Sequence, residues 1–176
     1  MSRIRNRTPE RPVRRPTPRP PTPGVPNQTF AIRAATPADV ADISTLDLRV
    51  TGLAKSAHWQ ELIERPAQPR ATDRYFLVAT TLDQPTRLLG FIVGEIRAWE
   101  FGSAPCGWVY ALAVDPDTRL NRVGEALLEA ITREFRAAGV TKMRTMVARD
   151  NRLPLLFFRG EGMMAGPYIQ LEKDLD

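Results

Sequence analysis

Residues 114–128 read VDPDTRLNRVGEALL. Leu112-Ala113-Val114 approaches as an apolar strand, Asp115-Pro116-Asp117 turns the chain, and a helix begins at about Arg122. A helix that starts just after a strand exposes unpaired backbone N–H groups and a partial positive charge at its first turn. That combination binds phosphate without a metal. Gly124 lets the chain come close to a ligand, and Arg119 can add charge-assisted hydrogen bonds. Glycine occurs only once, however, and Arg122 stands where a second would be expected. On these residues alone two readings are open: a phosphate cradle, or an ordinary strand-to-helix turn with surface arginines.

Outward from this stretch the chain alternates strands and helices. Thr29–Arg33 alternates apolar and polar residues like a strand. Thr36-Pro37-Ala38-Asp39 is a helix start, with a hydroxyl cap, a first-turn proline and an acid three residues on. The helix runs to about Val50, Gly52 breaks the chain, and a short helix follows from His58 to Arg65, ended by Pro66. Tyr75–Thr80, Leu88–Arg97 and Trp108–Val114 are strands whose short connections predict antiparallel pairing. Then come a helix over about 122–138 with a buried stripe of Leu128, Ile131 and Phe135, a stop at Gly139, and a strand over Lys142–Ala148. A short helix near Arg152 tolerates Pro154 in its first turn, and Tyr168–Glu172 is the final expected strand. The fold class is α/β, a mixed, mostly antiparallel central sheet with flanking helices.

Charge is distributed unevenly. Residues 1–28 hold seven arginines against Glu10, a charge of +6; the whole chain carries +5, so residues 29–176 carry −1. The high isoelectric point belongs to the Arg/Pro-rich segment, which removes the main support for a dedicated DNA-binding domain. That segment, 1–28, is expected to be disordered; it serves either as a solubilising extension or as a tether to an anionic surface or nucleic acid. Its eight prolines forbid the amphipathic helix of a mitochondrial presequence. One cysteine, Cys106, excludes an internal disulfide framework, and one histidine, His58, gives no cluster for a zinc site. No apolar run approaches the roughly 18 residues that span a bilayer. A cytoplasmic protein with no membrane partner, a monomer or homodimer, is the expectation.

The pattern V-D-P-x-x-R-x-x-R-V-G-x-A-L-L, followed by Arg149-Asp150-Asn151 and by L-F-F-R-x-E-G-M ending at Met163, resembles the GCN5-related N-acetyltransferase (GNAT) superfamily. The resemblance covers Phe30 to Leu175. It implies a GNAT-type domain over 29–176 that transfers an acetyl group from acetyl-CoA, with no metal, to a primary amine in a ternary complex. It implies that the loop Arg119, Leu120, Asn121, Arg122, Val123, Gly124 and Glu125 meets the pyrophosphate, through its backbone amides. Leu112, Ala113 and Val114 would pair with the pantetheine arm, in the opening that a bulge makes beside that strand. Asn151 falls where the family often places an asparagine that reaches the cofactor.

Two positions depart from the family pattern. Arg122 replaces the middle glycine of the loop; we expect helical backbone angles there, with the guanidinium swung out towards phosphate. Phe158 takes the place of the usual proton-donating tyrosine and has no proton to give. Glu95 and Tyr110 are therefore the candidate base and acid. Glu95 shares a mostly apolar face with Phe91 and Val93, or else pairs with Arg97 or another surface cation. Tyr168 is a weaker candidate acid. His58, and Trp99, Glu100 and Phe101, fall where the family forms its acceptor site. Cys106 reads as a small buried residue, since no histidine is near it in sequence. A catalytically degenerate CoA-binding or regulatory module is the alternative that Arg122 and Phe158 leave open. The acceptor amine itself is not readable.

Overall fold

The computed structural model describes residues 29–64, 74–98 and 102–175, without the side chains of residues 119–121. The segment 1–28, the loop residues Trp99, Glu100 and Phe101, and the expected helix end at Arg65 and Pro66 lie outside the described residues. In chain order the elements are β1 (Phe30–Ala34), α1 (Val40–Thr51), α2 (Ser56–Glu64), β2 (Arg74–Thr81), β3 (Leu88–Arg97), β4 (Cys106–Val114), α3 (Val123–Ala137), β5 (Met143–Thr145) and α4 (Arg152–Gly160). They form one five-stranded sheet in the order β1-β2-β3-β4-β5. The first four strands pair antiparallel, and β5 runs parallel to β4. The expected α/β class and antiparallel bias are what the chain adopts.

Strand alternation sends side chains to two different cores. On one face Phe30, Ala79, Leu89, Ile92 and Val109 pack against Val123, Leu127, Ile131 and Phe135 of α3 and Phe158 of α4. On the other, Val78, Phe91, Val93 and Ala113 pack against Ile43 and Leu46 of α1 and Trp59 of α2. Helix α3 lies close on the sheet because glycines receive it. A Cβ at Gly94 would come within 2.8 Å of both Ile131 and Phe135, and one at Gly107 within 2.2 Å of the Phe135 ring. Buried side chains separated by four residues thus drop into a row without side chains.

The helix ends follow their sequence signals. Asp39 reaches back to accept from the Thr36 N–H at 2.7 Å and the Thr36 hydroxyl at 2.8 Å, as the S/T-x-x-acid pattern predicts. Arg33 grips the same carboxylate with two bonds of 2.8 and 2.7 Å. Helix α3 ends at a left-handed Gly139, where the Val140 N–H bonds to the Phe135 carbonyl at 2.9 Å.

Two expectations fail at the far edge. The strand after Gly139 is only Met143–Thr145, shorter than the Lys142–Ala148 expected. Tyr168–Glu172 joins no ladder. Its alternating pattern is real, but Ile169 and Leu171 stay exposed, and Tyr168 lies against the Arg144 guanidinium at 4.7 Å. A strand needs an edge to pair with as well as a pattern, and β5 offers three residues.

Candidate active site

The β3–β4 ladder contains a bulge. Val93 pairs with Ala111 while the next residue, Gly94, pairs with Val109, so Tyr110 is the extra residue on β4. The bulge changes the phase of the strand. Before it, Val109 faces the α3 core; after it, Leu112 and Val114 do, while Ala111 and Ala113 face α1 and α2. Bulges re-aim side chains in this way.

Beside the bulge the sheet opens. Strand β4 pairs with β3 as far as Val114, but with β5 only over Gly107–Val109. Among the described residues no strand covers the other edge of Tyr110–Val114. The Asp115 N–H donates to the Leu89 carbonyl at 2.8 Å, across to the β3 side. By alternation, the main-chain groups of Leu112 and Val114 point the opposite way, into the opening.

At the end of that edge a 3-10 helix, Pro116–Asn121, leads into α3. Asp115 caps it by accepting from the Asp117 N–H at 3.1 Å. Arg122 then sits at the N-cap of α3 with φ 58° and ψ 23°. This is a correction: the expected right-handed helical angles are not adopted, and Arg122 is the one non-glycine residue at positive φ among those described. The chain must reverse its turn here to pass from the 3-10 helix into α3, and the left-handed conformation does it, as the glycine of the family pattern would without strain. Nor is the guanidinium free. It turns along α3 onto Glu125, with Arg122 Nε 2.7 Å from Oε2 and a second, shorter contact from Nη2. The first turn of α3, with Val123, Gly124 and Glu125, receives no side-chain cap from Arg122. A Cβ at Gly124 would come 3.3 Å from the Phe157 ring and 3.5 Å from Val114, so this glycine brings β4, α3 and α4 together.

On the α1/α2 face a cavity of ≈ 420 Å³ opens against the bulge. Its walls are His58, Glu61 and Leu62 from α2, Arg74 from β2, Glu95 and Arg97 from β3, and Tyr110 from β4. The candidate base and acid, Glu95 paired with Trp108 and Tyr110 two residues further along β4, therefore meet in one space, with His58 on the opposite wall. Glu95 is held by Arg97, whose Nε lies 2.8 Å from Oε1, and Arg97 itself stacks on the Trp108 ring at 4.5 Å. Tyr110 keeps one side open to solvent. The protein around it nevertheless desolvates the phenol and pushes its pKa up to about 12; Glu95 acts in the same direction, and Arg74 and Arg97 oppose it. The phenol therefore stays protonated at physiological pH.

The remaining sequence candidates are spread around this centre. Asn151 is exposed at the N-cap of α4. Phe158 is 8% exposed and belongs to the α3-side core, with Phe157 edge-on to it at 5.1 Å. Tyr168 lies away from the cavity, against Arg144. Cys106 is buried with a free thiol. The backbone of Arg119, Leu120 and Asn121 belongs to the 3-10 helix; their side chains are outside the described residues.

Sequence reasoning missed Arg74 and Glu61. Arg74 is the register partner of Glu95 across the β2–β3 ladder. Only the hairpin register reveals that, and a β-irregularity between Ala79 and Thr80 hides it from simple counting back from the turn. Glu61 lies one helical turn after His58, so reading His58 as an acceptor-site residue carried a signal for it.

The acetyltransferase (GNAT) family model matches residues 42–159. Mycothiol acetyltransferase of Kocuria rhizophila is 29% identical over 102 residues, 58% of this chain and 34% of that protein, so the chain spans about a third of that relative's length. Among solved structures, aminoglycoside N-acetyltransferase AAC(6')-Iy in complex with CoA superposes with a TM-score of 0.70 at 17% identity, covering 85% of this chain and 98% of that one. Glucosamine-6-phosphate N-acetyltransferase from Arabidopsis thaliana gives 0.65 at 18% identity, covering 85% and 100%. The structural likenesses are ones of fold; the family match spans both the splayed strand and the loop after it, and by it the chain belongs to the GNAT family of acetyltransferases.

Proposed function

We propose that this protein transfers an acetyl group from acetyl-CoA to a primary amine, directly and within a ternary complex. The observation that carries the reading is the meeting, at Tyr110, of an open main-chain edge with a cavity that holds a carboxylate and a protonated phenol. The open edge is the right kind of surface for an amide-bearing arm, since among the described residues no strand pairs with the outward donors and acceptors of Leu112 and Val114. Val123, Gly124 and Glu125 would meet a pyrophosphate with N–H groups and the positive end of a 15-residue helix. Acetyl-CoA supplies an activated acetyl thioester.

The chain's own groups have separate tasks. Glu95 accepts the proton that the ammonium must lose, directly or through water, and Arg97 fixes its orientation. Tyr110 donates a proton on the leaving side in place of the hydroxyl that Phe158 lacks. The Arg122–Glu125 contact must open, or stay to one side, for the arginine to reach phosphate; the backbone N–H groups need no such change. Holding the two reactants in line supplies much of the remaining rate enhancement.

Titration calorimetry with acetyl-CoA and a thiol-release assay over a panel of amines test this. Binding of acetyl-CoA with amine-dependent CoA release is the expected result. Glu95→Gln should lower kcat by about a hundredfold, more than Tyr110→Phe does. No heat at millimolar acetyl-CoA would remove the proposal. Binding without turnover would favour a regulatory module, and wild-type rates in both variants would remove the residue roles.

A further inference from the structure

The cavity has a charge pattern that says what kind of amine it takes. Four charged side chains line it, two carboxylates and two guanidiniums, so its described walls carry no net charge. They are not equivalent. Glu95 and Arg97 are bound to each other, and Arg97 is further fixed by the Trp108 ring. Arg97 takes one oxygen of Glu95, which leaves the other to accept from an ammonium. Arg74 lies exposed directly across the ladder from Glu95. Among the described residues, it has no ion-pair partner. A guanidinium so placed offers a planar fork of donors, the geometry that carboxylate and phosphate fill with two bonds.

From this we infer that the acceptor is a small zwitterion: a primary amine received at Glu95, carrying a carboxylate or phosphate that Arg74 holds from the neighbouring strand. The inference rests on the transferase reading above and narrows its substrate. A polycation would bring several ammonium groups against two guanidiniums, and electrostatic complementarity disfavours it. A monoamine without an anionic group would use Glu95 and leave Arg74 hydrated. Only an amine with an anionic group uses both strands. At ≈ 420 Å³ the space lies towards the small end of ligand pockets. That suits one amino acid or one phosphorylated amino sugar. His58, on the facing wall, adds a ring nitrogen donor for the anion.

The test compares matched probes in the thiol-release assay: each proteinogenic amino acid against its amide, glucosamine-6-phosphate against glucosamine, and kanamycin as polycation. Calorimetry with acetyl-CoA runs on the same samples. At least one anion-bearing probe should exceed its counterpart in kcat/KM by about tenfold to a hundredfold. The amino-acid and sugar-phosphate arms tell carboxylate from phosphate. Arg74→Gln should erase the preference through KM with kcat kept, and Arg74→Lys should restore part of it. Arg74 is exposed at a strand end, so both variants should fold. Equal or better turnover of kanamycin or of the counterparts without an anion overturns the inference, as does a preference that survives Arg74→Gln. So does acetyl-CoA binding with no anion-bearing probe turned over. Failure to bind acetyl-CoA strikes the transferase reading instead.

Discussion

Asp47 should prove to be the residue that sets the acceptor wall in place. Its side chain is 4% exposed on α1 and accepts the Trp59 indole N–H at 2.9 Å and the Lys55 ammonium at 2.9 Å, both from the segment that forms α2. Trp59, itself 2% exposed, packs edge-on to Phe91 at 5.3 Å and Phe76 at 5.8 Å. Through these contacts α2 is fixed, and with it His58, Glu61 and Leu62. Asp47→Ala strands a buried indole donor, which costs about 1–3 kcal/mol. Lys55 is 35% exposed and regains water, so its lost ion pair adds about 1 kcal/mol or less. The sum is about 3 kcal/mol, or roughly 6–12 °C in Tm for a domain of this size. Asp47→Asn keeps an acceptor oxygen for the indole and should cost about 1 kcal/mol. Urea denaturation followed by tryptophan fluorescence gives both numbers. In the thiol-release assay the alanine variant should raise KM for the amine and leave KM for acetyl-CoA unchanged, because α2 supplies walls of the cavity and no residue of the proposed acetyl-CoA surface. Equal losses in the two variants, or KM changes on the acetyl-CoA side, would refute the reasoning.

Other outcomes are specific to single positions. Gly107→Ala drives a methyl to 2.2 Å from the buried Phe135 ring and should cost about 1–3 kcal/mol; adding Phe135→Leu should recover part of it, as measured by urea midpoints. Arg122→Gly should unfold at higher urea than Arg122→Ala, since both lose the Glu125 contact and only glycine relieves the positive φ; the reverse order would show the left-handed conformation to be unstrained. Hydrogen bonding from Arg33 holds the Asp39 carboxyl down at about 2. With an unfolded value of about 3.9, the stability it contributes is complete above about pH 4 and lost as pH falls towards 2. Asp39→Asn should flatten the pH dependence of the urea midpoint in that window.

Most of the architecture was legible because its signals are local. Thr36 to Asp39 announces a helix start, and Leu128, Ile131 and Phe135 mark a buried stripe whatever lies beneath. The failures share a different origin: each depends on what a segment meets. Tyr168–Glu172 has a strand's alternation but no ladder to join, because β5 stops at Thr145. Arg122 reads as ordinary helix because nothing local shows that a 3-10 helix precedes it and forces a reversal. In the site, Glu95 is a candidate by strand alternation and Tyr110 by the family resemblance, and both line one cavity. Their neighbour Arg74 was invisible without the register, and the Arg97 pair stood only as one of two readings of Glu95. The bulge at Tyr110 explains why simple alternation along CGWVYALAV misassigns faces: parity changes in the middle of the strand.

Among the described residues no strand covers the far side of Tyr110–Val114, and this bears on the protein's behaviour in storage and in the cell. An apolar strand with free main-chain groups is also a template on which another extended chain can assemble. If acetyl-CoA occupies that edge, it acts as a sixth, non-peptide strand that finishes the sheet. Colloidal stability would then rise with the nucleotide thioester pool, and purification without CoA would leave the protein prone to self-association.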